Sequence, residues 1–148
     1  PETLYALIGQ DQNSAAIKLA AQLLEQQQAR LSKSELQRAI QEIARALFEI
    51  PVGAGGSLTQ RIVSIMQRFE ALDYQPNWEA TSKGPSIHLM QCPYASIIDD
   101  HPSLCQIDAA ALEQALGQEV VQVRKLESNE EGLRLCTFAL KSSIASKV

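Results

Sequence analysis

The sequence lacks any long apolar run: none of its stretches approaches the roughly 20 consecutive apolar residues that span a bilayer. The N-terminus has no basic segment followed by an apolar core, so we expect no signal peptide and a cytoplasmic protein. Six prolines and seven glycines are too few for a fibrous repeat or wholesale disorder. The net charge of −4 is opposite in sign to the basic face that DNA binding needs, so these residues alone are not expected to bind DNA.

Motifs for catalysis are also missing. The glutamates at positions 113, 119, 130 and 131 show no arrangement typical of acid–base catalysis, and no Ser/His/Asp triad motif occurs. The glycine-rich stretch Gly53–Gly56 is not followed by Gly-Lys-Ser/Thr and follows no predicted strand, so we interpret it as a turn rather than a phosphate loop. We therefore do not expect an enzyme.

The first half of the sequence contains amphipathic helices. After a strand-like alternation from Thr3 to Leu7, Asn13 or Ser14 is a good cap for a helix over about 13 to 30. Ser32 with Glu35 forms a capping box for a second helix, and Ser57 caps a third. The three apolar stripes are Ile17, Ala20, Ala21 and Leu24; Leu36, Ile40, Ile43 and Leu47; and Leu58, Ile62, Ile65, Met66, Phe69 and Leu72. Successive amphipathic helices need a partner surface.

Strands are predicted after residue 73. The segments Tyr74–Trp78 and Ile87–Cys92 have the composition of strands, and Pro93 ends the second because it has no N–H. A helix then begins near residues 100–102 and is stopped by Gly117.

A hairpin completes this second part. Val120–Leu126 and Leu133–Leu140 alternate as antiparallel neighbours joined by residues 129–132, whereas residues 141–148 have no strong pattern. The sequence predicts an α+β fold, with N-terminal amphipathic helices followed by a small antiparallel sheet and a packed helix. We divide it into residues 1–10, a helical region at 11–72 and an α+β unit at 73–148.

Three cysteines fall in the α+β unit: Cys92 at the end of a strand, Cys105 early in the helix and Cys136 on the hairpin. An odd number at these spacings is not a disulfide framework. Strand and helix ends can converge, and thiolates there suit a soft metal ion or an iron–sulfur cluster. On spacing alone, burial as small hydrophobic side chains is the better explanation.

The two histidines are weaker candidates for metal ligands than the cysteines. His88 lies in an apolar strand and is interpreted as a satisfied sheet residue, and His101 beside Pro102 is interpreted as a residue preceding the helix. Either can supply nitrogen to zinc, but the paired spacing of a zinc site is absent.

The segments Cys92-Pro93-Tyr94, His101-Pro102-Ser103-Leu104-Cys105 and Cys136-Thr137-Phe138-Ala139-Leu140 together resemble the C-terminal sensor of SufR-type iron–sulfur repressors, which are winged-helix regulators of the ArsR/DeoR kind. They are also similar to vinyl-4-reductase-like ligand-binding domains. The family pattern separates four cysteines by twelve, thirteen and fourteen residues. This sequence keeps the first interval, has Glu119 at the third position and lengthens the last interval by two.

The resemblance extends more weakly to Pro1–Leu7, which looks like the closing strand of a winged-helix wing. It implies that the helices after it link and dimerise the subunits, and that a winged-helix domain outside these residues reads DNA as part of a homodimer. It further implies a sensor with Cys92, Cys105 and Cys136 as cluster or metal ligands and Glu119 as a doubtful fourth.

Three functions therefore stay open. The first is a regulator's effector-sensing and dimerisation region that holds an iron–sulfur cluster or, alternatively, zinc. The second is a module that binds a small organic molecule in an apolar pocket lined by the thiols. The third is a purely structural dimerisation domain.

Overall fold

The computed structural model describes residues 2–53, 55–128, 130 and 134–141. Within them the chain forms four helices and four strands: α1 (Glu2–Gln28), α2 (Lys33–Leu47), α3 (Leu58–Ala71), β1 (Gln75–Thr81), β2 (Gly84–Met90), α4 (Ser103–Leu116), β3 (Val120–Ser128) and β4 (Arg134–Leu140). The predicted α+β class is confirmed. None of the helices in this part of the chain combines the length and apolar character needed to cross a bilayer.

The first helix is longer than predicted. α1 spans Glu2–Gln28, so the strand expected at Thr3–Leu7 is wrong, and the segment expected to close a wing is helical. The five-residue alternation was misleading because Leu4, Leu7 and Ile8 also fit the spacing of one helix face, and no proline occurs between Pro1 and Pro51 to interrupt a helix. At its other end α1 contacts α4, where Gln28 Nε2 donates to Ser103 Oγ at 2.7 Å.

The predicted capping box at Ser32 and the predicted cap at Ser57 are both confirmed. Ser32 Oγ accepts from the Glu35 amide at 3.3 Å, and the Glu35 carboxylate accepts from the Ser32 amide at 2.7 Å. Ser57 and Gln60 make the same reciprocal pair at the start of α3. These bonds satisfy amides that have no partner inside the helix.

The four strands form one antiparallel sheet in the order β1-β2-β4-β3. The predicted hairpin is confirmed as β3 and β4, although its connection, apart from Glu130, lies outside the described residues, as does the chain after Lys141. The strand predicted to end at Cys92 ends two residues earlier, at Met90. Gln91 has a left-handed φ of 53°, which turns the chain out of the sheet.

One hydrophobic core joins the helices to the sheet. α4 packs against α2, α3 and β3, and α3 packs against β1. The largest fully buried side chains of this core come from both sides of the boundary predicted at residue 72. They are Phe48, Ile62, Ile65, Phe69, Ile87, Leu89, Ile98, Leu112, Leu116 and Phe138. Residues 33–72 therefore fold against the α+β unit rather than apart from it.

The predicted apolar stripes are buried unevenly. Ile62, Ile65 and Phe69 of α3 are almost completely covered. In α2, by contrast, Ile43 and Leu47 remain 42% and 37% exposed. The α2 stripe therefore contributes less to the core than its sequence pattern suggests.

Candidate functional site

The three cysteines come from three different parts of the fold. Cys105 and Cys136 lie on the predicted helix and hairpin strand, whereas Cys92 lies beyond the end of its predicted strand. Cys92 is half-buried in the turn after β2, Cys105 is buried in the first turn of α4, and Cys136 is buried on β4 opposite Leu89 of β2. None of the three forms a disulfide. The turn is fixed locally, since the Cys92 carbonyl accepts from the Ala95 amide at 3.2 Å.

The fold brings these thiols into electrostatic range of one another. Burial, with smaller contributions from negative charge at Asp108, Cys136 and Cys105, raises the pKa of Cys92 to about 12. Burial also raises the pKa of Cys105, and Cys136 and Asp108 add to the increase. The thiols of Cys92 and Cys105 are therefore protonated at neutral pH unless an electrophile or metal replaces the proton.

A buried carboxyl group lies beside these thiols. Asp108 is 5% exposed and sits one helical turn after Cys105 on α4. Burial raises its pKa to about 7, and a hydrogen bond from Tyr74 opposes the increase. Tyr74 Oη donates to Asp108 Oδ1 at 2.7 Å, and the Tyr74 ring lies edge-on to the ring of Tyr94 with centroids 6.4 Å apart.

Sequence reasoning missed Asp108, although a signal was present. Its neighbours on the same face of α4 are Leu104, Ile107, Ala111 and Leu112, all of which are buried. A carboxyl group in the middle of an apolar helix face is uncommon, because burying its charge costs free energy. Such a residue is a candidate functional group on pattern alone.

The predicted fourth ligand, Glu119, has a different environment. Its side chain is 62% exposed and Oε1 pairs with Lys141 Nζ at 2.7 Å. The backbone supports the same contact, since the Lys141 amide donates to the Glu119 carbonyl at 2.9 Å. Asp108 is the carboxyl group that acts on the pKa of Cys92 and Cys105.

The two histidines lie where the sequence suggested. His88 on β2 makes short polar contacts with Thr137 Oγ1, at 3.0 Å from Nδ1, and with Ser86 Oγ, at 3.3 Å from Nε2, so it is a satisfied sheet residue. Its Nε2 is also 3.5 Å from Oε1 of Glu79. His101 precedes α4 and accepts the Leu104 amide at its carbonyl, and its buried Nδ1 has no hydrogen-bond partner among the described residues.

A cleft of about 580 Å³ opens beside Cys92, between α1 and the chain that follows β2. Cys92 and Tyr94 contribute a thiol and a phenol to its wall, and Ile17 and Ile97 contribute apolar surface. The volume falls within the range of sites for small organic molecules, roughly 300–1,000 Å³. The thiol site therefore borders a space that is large enough for a ligand.

The three cysteine thiols are chemically suited to a soft metal ion or an iron–sulfur cluster, since both prefer sulfur ligands. Among the residues that the structure describes, no three His, Cys, Asp or Glu side chains form a group placed to hold one metal ion. No protein-family model, no curated protein and no solved structure matches the chain. The geometry of the thiols, the carboxyl group and the cleft is therefore the basis for a functional proposal.

Proposed function

We propose that this chain is the non-enzymatic effector-sensing and dimerisation region of a cytoplasmic DNA-binding transcription regulator, and that Cys92, Cys105 and Cys136 hold an iron–sulfur cluster or, alternatively, zinc. The observation that carries the proposal is the approach of thiols from a turn, a helix and a strand to within electrostatic range of one another. Burial of small hydrophobic side chains alone does not require such an approach.

The physical basis of sensing is the connection between elements. A bound metal or cluster would tie the turn after β2 to α4 and β4, so its presence would favour one arrangement of the three and its loss would release them. The raised pKa values of Cys92 and Cys105 mean that occupation must displace protons. Retention of the metal is therefore expected to weaken as the pH falls.

The dimerisation role is proposed for α1, which is 27 residues long. Leu19 and Leu23 are spaced four residues apart on this helix and are 62% and 56% exposed. A second copy of the chain would cover this surface in a homodimer, which would place paired readers on two half-sites. Because the chain is acidic, we assign DNA contact to a winged-helix domain outside these 148 residues.

The test is the metal content of single cysteine variants purified without oxygen. Cys92→Ala, Cys105→Ala and Cys136→Ala are each expected to lose iron and sulfide, or zinc, while circular dichroism shows an intact fold. Glu119→Gln is the matched control, since this carboxylate pairs with Lys141 at the surface, and it should retain the metal. Unchanged metal in the cysteine variants would reject the proposed ligands.

The cleft beside Cys92 favours a second candidate function, the binding of a small organic molecule. In this case the thiol of Cys92 lines the site and α1 closes one side of it. Chelator-treated protein should then be stabilised by an apolar ligand, and Ile17→Asp in the cleft wall should remove the effect. Stabilisation by iron or zinc but by no apolar compound would reject this alternative.

A further inference from the structure

A second cavity, of about 90 Å³, lies near the C-terminal end of α4 and has two arginines in its wall. Arg61 and Arg68 come from α3, and the hydroxyl-bearing Ser64 lies between them in the sequence. Gly55, in the turn before α3, also lines the cavity, and Ile65 gives it an apolar part. This cavity belongs neither to the thiol site nor to the cleft beside Cys92.

Each guanidinium group is held by a carbonyl at the end of a helix. Arg61 Nη1 donates to the Leu116 carbonyl at 3.2 Å, beside Gly117, which ends α4 with a φ of 68°. Arg68 Nη1 donates to the carbonyls of Phe48, at 2.9 Å, and Glu49, at 2.6 Å. These bonds fix both side chains and use one nitrogen of each.

One further donor has no acceptor. Arg61 Nε is buried and has no hydrogen-bond partner in the described part of the chain. The ion pairs among the described residues are Lys141–Glu119 and His88–Glu79. Neither guanidinium group therefore has a carboxylate of these residues within 4.0 Å. The chain has 17 acidic and 13 basic residues, so a shortage of acids does not explain the missing partners.

We propose that this cavity binds a small oxyanion, the phosphate or carboxylate group of a ligand, through Arg61 and Arg68. Guanidinium groups bind such anions through pairs of charge-assisted hydrogen bonds, and both arginines line this cavity without a carboxylate partner in the described part of the chain. Ser64 offers a hydroxyl donor to the same space. The binding would depend on side-chain charge, in contrast to a phosphate loop, whose Gly-Lys-Ser/Thr signature is absent.

The direct test is a titration of the whole chain with inorganic phosphate, with acetate and with chloride at constant ionic strength, followed by nuclear magnetic resonance. Phosphate or acetate should shift the Arg61 Nε–H signal and the amide signals around the cavity in a saturable way, and should raise Tm. A response to phosphate alone would assign a phosphate group, and one to acetate alone a carboxylate. An equal response to chloride, or saturable shifts located elsewhere, would overturn the proposal.

A conservative substitution isolates the anion contact. Arg61→Lys keeps the positive charge but removes the planar guanidinium group, so phosphate binding should weaken by roughly tenfold, the effect of one lost charge-assisted hydrogen bond. Arg38→Lys, at an exposed position on α2, is the matched control and should bind as the unmodified chain does. Equal affinity in both variants would contradict the role of Arg61. If Arg61→Lys fails to fold, the signal of Arg61 Nε–H in the unmodified chain decides the question.

Discussion

Two neighbouring clusters in the same core differ in chemistry. The aromatic cluster consists of Phe48, Phe69 and the ring of Tyr74, with Phe48 and Phe69 centroids 4.5 Å apart and the Phe69–Tyr74 pair edge-on at 5.0 Å. Burial of these rings favours folding directly.

The thiol–carboxyl cluster consists of Cys92, Cys105, Cys136 and Asp108. Burial raises the pKa values of Cys92, Cys105 and Asp108, which shows that their charged forms are disfavoured where they lie. Stability alone explains the aromatic cluster but gives no reason to place a carboxyl group among thiols. The second cluster is therefore the better candidate for a functional site.

Tyr74 links the two clusters. Its ring packs on Phe69, whereas its hydroxyl group donates to Asp108. Burial, together with the neighbouring carboxyl charge, raises the pKa of Tyr74, so the phenol stays protonated and remains a donor. Substitutions at Phe69, Asp108 and Tyr74 can therefore separate the contributions of packing and of the polar contact.

The largest effect is expected from Phe69→Ala. The side chain is fully buried, and its removal should lower the free energy of unfolding by roughly 3–5 kcal/mol through lost burial and a cavity. Urea denaturation followed by circular dichroism measures the change. Val63→Ala on the same helix, 45% exposed, is the control and should change stability by no more than about 0.5 kcal/mol. A similar loss in both variants would contradict the assignment of the aromatic cluster as the stabilising one.

Asp108→Asn should act in the opposite direction. The carboxyl group releases its proton at a pKa of about 7 in the folded chain and near its ordinary pKa of 3.8 when unfolded. Unfolding therefore releases a proton between these values, and the stability of the metal-free chain should fall as the pH rises from about 4 to 7.

The Asn side chain has no such titration, so the variant should be more stable than the unmodified chain at pH 8, by about 2–4 kcal/mol. Urea denaturation of both chelator-treated proteins at a series of pH values measures this difference. Parallel pH profiles for the two proteins would show that Asp108 is not a buried, destabilised carboxyl group.

Tyr74→Phe should have a smaller effect, because the ring remains. Above pH 7 the Tyr74 hydroxyl group donates to an ionised Asp108 carboxylate. Loss of this hydrogen bond should therefore lower the free energy of unfolding by about 1–3 kcal/mol at such pH values. Since that bond lowers the pKa of Asp108, its removal should also move the pH dependence to higher pH. Stability measurements at pH 5 and pH 8 check both points, and an equal loss at the two values would argue against the polar link.

The smallest effect is expected outside both clusters, at the start of α3. Ser57→Ala removes the hydroxyl group that accepts from the Gln60 amide at 3.2 Å. The substitution should lower the free energy of unfolding by about 1 kcal/mol. Thermal unfolding measures it, with Thr59→Ala, exposed in the same helix turn, as the control. If the loss exceeded that of Phe69→Ala, the ranking of these regions would be wrong.

Local patterns predicted much of this fold. Ser32 with Glu35, Ser57 before an apolar stripe and Gly117 after one are short-range signals, and each marked a helix end correctly. The prediction of a strand at Thr3–Leu7 was wrong because a pattern of five residues is too short to distinguish a strand from the first turns of a helix. The helix continues for about six more turns after Leu7.

The candidate site was predicted only in part, because it depends on distances between elements. The sequence pattern placed Cys105 on the helix and Cys136 on the hairpin, but it put Cys92 on a strand that ends two residues before it. It could not show that Asp108 lies near them, since this requires the path of α4 relative to the turn after β2. The family resemblance implied Glu119 as a ligand, whereas its side chain pairs with Lys141. The cavity near Arg61 depends on Leu116, which is 55 residues away, and no local motif marks it.

The most direct test of the sensing role is an absorption spectrum of the anaerobically purified chain, combined with iron, sulfide and zinc analysis. The account predicts either a broad visible band with matching iron and sulfide or stoichiometric zinc without that band, and in either case the signal should be lost from Cys92→Ala. Protein that carries neither, and that takes up neither iron and sulfide nor zinc on reconstitution, would contradict the assignment of the three thiols as ligands.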